Sequence, residues 1–193
     1  MRAIIRDTPI IAMMVVQLTV WMSLFYSFPA LVLFWQADFG WTTAQIMGAF
    51  SLSIAVYALG APLYGRLIDR GLAPITFPLG ALGGAVLLVS LTSAETLPRF
   101  YTTWAALGIC MGLTLYEPCF ALVTRARAWD ARRAITAITL VGGFASTLAY
   151  PLATTLAANG GWRAAIHVLA ALVVLVAAPL SLWAARHRWR AAS

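Results

Sequence analysis

Long apolar runs separated by short charged segments dominate the chain. A helix that crosses a bilayer needs about 20 apolar residues, and six runs reach that length, the fourth of them interrupted by Glu117 alone. The runs lack the alternation of apolar and polar residues that a membrane β-barrel requires. The pattern predicts an all-α, polytopic membrane protein with a single domain over residues 1–193. Its six transmembrane helices are expected at about 9–35, 43–64, 74–93, 100–124, 134–158 and 164–185.

Composition and charge support this assignment and orient it. Hydrophobic residues make up 62% of the chain and charged residues 10%. All 13 basic residues are arginines. If successive helices alternate in direction, Arg99 and Arg163 lie on one side of the membrane and the other arginines on the opposite side. The positive-inside rule then places both termini in the cytoplasm, in what we expect to be a bacterial inner membrane. The arginines expected on the cytoplasmic side are Arg2, Arg6, Arg66, Arg70, Arg125, Arg127, Arg132, Arg133, Arg186, Arg188 and Arg190.

Short arginine-bearing loops at helix ends ordinarily contact lipid headgroups, so we expect the bilayer and not nucleic acid as the partner of these charges. Enzyme motifs such as Gly-x-Ser-x-Gly or His-Glu-x-x-His do not occur, and neither does a phosphate-binding Gly-x-x-x-x-Gly-Lys loop. We therefore expect neither an enzyme nor a protein with a cofactor or a bound metal.

Polar or small side chains recur at helical spacing on the first, second, fourth and fifth predicted helices. The third and sixth are apolar apart from small residues and His167, which we expect to be hydrogen-bonded near the membrane surface rather than to relay protons. Four polar faces backed by two apolar helices predict a cavity that a solute can enter. The candidate cavity residues are Tyr26, Ser53, Tyr57, Thr114, Glu117, Thr147 and Tyr150.

Glu117 is the one charged residue inside the predicted spans. Along the helix axis it lies about 12 Å from Arg125, since eight residues rise 1.5 Å each. A carboxylate at that depth costs on the order of 2.5–3.5 kcal/mol. Three interpretations stay open: Glu117 carries a proton, it forms a gating ion pair with Arg70 or Arg125, or it is a permanently protonated acid bonded to a Tyr or Thr hydroxyl. Pro118 removes an amide donor beside it and predicts a kink.

The segment between the second and third predicted helices, Gly65-Arg66-Leu67-Ile68-Asp69-Arg70-Gly71, combines three charges with two glycines. Glycine permits a tight turn, and Asp69 can cap a helix or pair with an arginine. The string resembles the signature Gly-x-x-x-Asp-Arg-x-Gly that transporters of the major facilitator superfamily carry at this place. Gly65, Asp69 and Arg70 match it, Gly71 comes one position early, and the basic residues that normally follow are absent. The turn at residues 159–163 is similar to the Gly-Trp-Arg turn common before helix 6 in that superfamily.

The resemblance implies one six-helix half of such a transporter, the N-terminal one, built from two inverted three-helix repeats. It implies a secondary transporter of small solutes that works by alternating access within a twelve-helix assembly, with a second half or a second copy of the chain as partner. Proton coupling through Glu117 is one expectation. Residues 38–52 look most like the branch of monocarboxylate and oxalate/formate carriers, which suggests organic anions. The alternative is a truncated or accessory six-helix membrane protein without transport activity of its own.

Overall fold

A computed structural model of the protein describes residues 7–126 and 130–186. All regular secondary structure within these two ranges is helical. Among the described residues, five helical segments are long and apolar enough to cross a membrane: Thr8–Phe39 (α1), Thr43–Asp69 (α2), Ala73–Leu91 (α3), Leu97–Ala126 (α4) and Ala131–Ala184. The predicted all-α, polytopic membrane fold is therefore confirmed. Several positions used for the orientation, Arg2, Arg6, Arg127, Arg188 and Arg190, lie outside the described residues.

The last segment contains two helices. Its 54 residues would form a rod about 80 Å long, whereas the hydrocarbon core of a bilayer is about 30 Å thick. Gly161 interrupts it with a φ of 80° and a ψ of 158°, which are not helical angles. We accordingly number residues 131–160 as α5 and residues 162–186 as α6.

The second helix was predicted at about 43–64, and in the structure it ends five residues later. Gly65 is helical, and α2 continues to Asp69. Gly71 forms the turn, because its φ of 78° lies in the left-handed region that glycine adopts without steric cost. The amide of Gly71 donates to the Ile68 carbonyl at 2.9 Å, and the next amide donates to the Leu67 carbonyl at 3.1 Å. This is a Schellman motif, so the early second glycine is the residue that ends α2.

Close backbone contact joins α2 to α4. A Cβ atom on Gly108 would overlap the backbone carbonyl oxygen of Ser53, and a Cβ atom on Gly112 would overlap the ring of Tyr64. The two glycines have the Gly-x-x-x-Gly spacing that lets membrane helices approach each other closely. Sequence reasoning did not use this spacing, although it is visible in the chain.

Helix α1 packs against α5 and α6, and α3 packs against α4 and α6. Near the end of α1, the buried rings of Phe28 and Trp104 meet edge-to-face with centroids 4.6 Å apart. At that same end of the bundle Asp38 accepts hydrogen bonds from the Trp162 indole and the Arg163 guanidinium, each at 2.8 Å. Arg163 also donates to the Thr92 carbonyl at 3.0 Å. These contacts tie together the ends of α1, α3 and α6.

Candidate functional site

Helix α4 is broken in its middle. Its two parts, Leu97–Thr114 and Tyr116–Ala126, meet at Leu115, which has an extended backbone with a φ of −76° and a ψ of −160°. Pro118 has no amide hydrogen to donate to the Thr114 carbonyl four residues earlier. The kink predicted from Pro118 is therefore present as a break at Leu115. It leaves the Thr114 carbonyl without its helical donor, whereas the Leu115 carbonyl still accepts from the Cys119 amide at 3.4 Å.

Gln17 on α1 supplies a donor at this break. Its side chain is completely buried, and its amide nitrogen donates to the Thr114 carbonyl at 2.8 Å and to the Leu115 carbonyl at 3.5 Å. An unpaired buried carbonyl costs about 1–3 kcal/mol, so these bonds stabilise the broken conformation. Sequence reasoning missed Gln17. The available signal was an amide side chain near the middle of a long uncharged run.

Glu117 follows the break directly. It lies in the first turn of Tyr116–Ala126 and is exposed. A helix N-terminus favours negative charge, so the break creates a favourable position for the carboxylate. The Tyr57 hydroxyl on α2 donates a hydrogen bond to the Glu117 Oε2 atom. Of the candidate cavity residues, the structure brings these two together.

Arg125 does not pair with Glu117 in this conformation. Its guanidinium donates to the backbone carbonyls of Ile68, at 3.2 Å, and of Asp69. A cation at the C-terminal end of a helix is favoured by the helix dipole, so Arg125 caps α2 from the end of α4. The side chains of Asp69 and Arg70 are exposed. Arg125 thus links the charged turn after α2 to the helix that carries Glu117.

Aromatic rings lie beside the break. The ring centroid of Tyr116 is 4.7 Å from that of Trp21 and 5.1 Å from that of Phe120. Tyr26 packs against Trp21 at 6.0 Å. All four rings are half-buried. We use the name Glu117 site for the residues at this break and for Tyr57: Trp21, Tyr26, Tyr57, Tyr116, Glu117 and Phe120. Within this group the described contacts join the Glu117 carboxylate to Tyr57, whereas the Tyr116 hydroxyl donates to the Thr139 carbonyl on α5 at 3.5 Å.

The other candidate cavity residues lie elsewhere. Ser53 and Thr114 are completely buried: Ser53 lies at the α2–α4 contact, and the Thr114 hydroxyl donates to the Cys110 carbonyl at 2.8 Å. Thr147 and Tyr150 are exposed on α5, and among the described contacts none joins them to Glu117. Helical spacing placed all of these residues on polar faces, but it could not separate faces that meet a neighbouring helix from faces that stay open.

A groove of about 460 Å³ lies between α3 and α6 and contains none of the candidate cavity residues. His167 lines it together with apolar side chains. The Nδ1 atom of His167 lies 2.7 Å from the Arg163 carbonyl oxygen, a hydrogen bond within α6. This agrees with the expectation of a hydrogen-bonded histidine.

The family model for the Major Facilitator Superfamily matches residues 13–190. The chain belongs to the major facilitator superfamily. None of the curated proteins matches the sequence. Membership makes this a membrane transporter of the major facilitator type, from a superfamily whose members generally move solutes and do not catalyse reactions. The match does not distinguish branches, so the monocarboxylate and oxalate/formate assignment stays a prediction.

Proposed function

We propose that this major facilitator protein is one six-helix half of a secondary transporter that moves small solutes by alternating access. The observation that carries the proposal is the Glu117 site. The Glu117 carboxylate is exposed and lies in a span that has no other charged residue. The Tyr57 hydroxyl donates a hydrogen bond to it across the α2–α4 contact. Intramembrane ionisable residues are expensive and ordinarily functional.

The uneven burial of the helices supports a second half. Only 17% of the most apolar window of α2 is buried inside the chain, against 44–61% for the other candidate spans. Alternating access requires two bodies that rock about a shared site. We propose that a second six-helix half, or a second copy of this chain, covers part of α2. The arginine-rich ends of the helices then face the cytoplasm, as the positive-inside rule predicts.

Proton coupling through Glu117 is part of the proposal. A carboxyl group that alternates between the two sides of a membrane can carry one proton per cycle when it is protonated on one side and ionised on the other. The hydrogen bond from Tyr57 suits both states, since the hydroxyl donates to a carboxylate and can also bond a neutral acid.

Uptake into liposomes tests the proposal. Purified protein is reconstituted with a pH indicator trapped inside, and a panel of monocarboxylates, amines and quaternary ammonium ions is added outside under an inward proton gradient. We expect at least one solute to change the internal pH. Glu117→Gln should abolish this proton movement while inserting normally, and Glu95→Gln, the same change in an exposed loop, should leave it intact.

Unchanged proton movement in the Glu117→Gln protein would remove the coupling role. The accessory, non-transporting alternative would be favoured if the protein were strictly monomeric in detergent and took up no solute of the panel after reconstitution into liposomes. The organic-anion class suggested by residues 38–52 is tested by the monocarboxylates of the same panel.

A further inference from the structure

We propose that Glu117 binds a cationic group of the solute, so that this half recognises organic cations such as amines or quaternary ammonium ions. The inference rests on the proposed function, because it names the substrate class of the same site. It departs from the organic-anion expectation, which came from residues 38–52 and not from the site.

The distribution of charge is the first argument. Glu117 is the one charged residue in the long, otherwise uncharged stretches that make up most of α1, α2, α4 and α5. These stretches are residues 8–37, 43–64, 100–124 and 134–158. The ion pairs Asp38–Arg163 and Asp130–Arg133 lie at opposite ends of the bundle. Inside these four stretches an anionic solute would therefore find no arginine or lysine and would meet a like charge whenever Glu117 is ionised. A carboxylate within a membrane span is instead stabilised by a proton or a cation.

The open coordination of the carboxylate is the second argument. The Tyr57 hydroxyl occupies the Oε2 atom, and among the described residues no donor reaches Oε1. Arg125, the nearest arginine along α4, donates to the carbonyls at the end of α2. Glu117 is thus held in place on one oxygen and available on the other. An ammonium group that donates to Oε1 would complete the pair.

The aromatic rings are an independent argument. Trp21, Tyr26, Tyr116 and Phe120 are half-buried and lie in contact with one another beside the break that positions Glu117. The faces of such rings carry negative quadrupolar charge, which attracts cations and repels anions. Tyr57, whose hydroxyl bonds Glu117, adds a ring in direct contact with the carboxylate. Aromatic rings near a carboxylate suit quaternary ammonium groups, which cannot donate hydrogen bonds.

Two probes of similar size and fixed, opposite charge test the inference: benzyltrimethylammonium and benzenesulfonate. Their binding to the full chain in lipid nanodiscs is measured by equilibrium dialysis of radiolabelled probe, with empty nanodiscs as the blank. We expect saturable binding of benzyltrimethylammonium and none of benzenesulfonate. This comparison uses the wild-type protein and does not depend on any variant folding.

Variants then locate the binding. Glu117→Gln should weaken benzyltrimethylammonium at least about tenfold, because one partner of the charge pair is lost. Glu95→Gln should leave the affinity unchanged. Trp21→Leu should weaken it about 2- to 5-fold, the range for a cation–π contact near a surface. Saturable binding of benzenesulfonate alone, or cation binding that Glu117→Gln does not alter, would overturn the inference.

Binding and uptake separate this inference from the proposed function. Cation binding at Glu117 without uptake of any solute would support the inference and count against transport. Proton-coupled uptake of monocarboxylates that benzyltrimethylammonium does not inhibit would support transport and overturn the cationic class.

Discussion

Gln17→Met tests whether the α1 amide stabilises the break in α4. Methionine has a similar length and volume but no hydrogen-bond donor, so the main change is the loss of the bonds to the Thr114 and Leu115 carbonyls. Leaving a buried acceptor unpaired costs about 1–3 kcal/mol. The substitution also removes the Gln17 Oε1 atom, which is buried without a partner among the described residues. That removal offsets part of the loss, so we expect the free energy of unfolding to fall by about 1–2 kcal/mol.

A double-mutant cycle with Pro118→Ala identifies the cause. Alanine restores an amide hydrogen at position 118 that can donate to the Thr114 carbonyl within the helix. In that background Gln17→Met should cost little, giving a coupling free energy of about 1 kcal/mol. Unfolding by sodium dodecyl sulfate in mixed micelles, followed by circular dichroism and tryptophan fluorescence, supplies the four free energies.

Gln36→Met is the matched control, because Gln36 donates an exposed hydrogen bond to Thr43 at the end of α1. It should change the free energy of unfolding by no more than about 0.5 kcal/mol. If Gln17→Met cost the same in the wild-type protein as in the Pro118→Ala background, the amide would not act on the carbonyl that proline leaves unpaired, and our account of the break would be wrong.

Glycine substitutions test the helix contacts and the turn by the same unfolding assay. Gly108→Ala should destabilise the protein by about 1–3 kcal/mol, because the added methyl group overlaps the Ser53 backbone and forces α2 and α4 apart. Gly143→Ala is the control and should be nearly neutral, because a methyl group there meets open space. Equal effects of the two substitutions would refute the close contact. Gly71→Ala should cost about 1–2 kcal/mol in the left-handed turn, while Gly65→Ala inside α2 should stabilise by about 0.5–1 kcal/mol. The same sign for both would contradict the assignment of the turn to the second glycine.

The sequence alone was sufficient for the fold class. Hydropathy and run length are properties of the linear chain, and a span must satisfy its backbone internally, so long apolar runs could only become helices. The same reasoning located the kink near Pro118, because a missing amide is a local property. It did not choose between Gly65 and Gly71 for the turn, since both glycines permit one, and only the α2 hydrogen bonds select Gly71.

The composition of the candidate site was predictable, but its arrangement was not. Sequence singled out Glu117 by the cost of an intramembrane charge, and it named Tyr57 by helical spacing. It left open whether Glu117 pairs with an arginine or bonds to a hydroxyl, and the structure places the Tyr57 hydroxyl on Glu117 and Arg125 on the end of α2. The distance and relative rotation of two packed helices decide which of their side chains meet. The sequence of one helix does not specify either quantity.

The amino-acid sequence by itself determined the helices, their apolar character and the presence of one acidic group within them, because each follows from local chemistry and the demands of the bilayer. Only the tertiary structure decided that Ser53 and Thr114 are enclosed, that Gln17 reaches the broken helix from α1, and that the Tyr57 hydroxyl bonds one oxygen of Glu117. The hydrogen bonds from Tyr57 to Glu117 and from Gln17 to Thr114 join residues 60 and 97 positions apart. Close packing between helices brings such distant positions together, and local chemistry does not specify it.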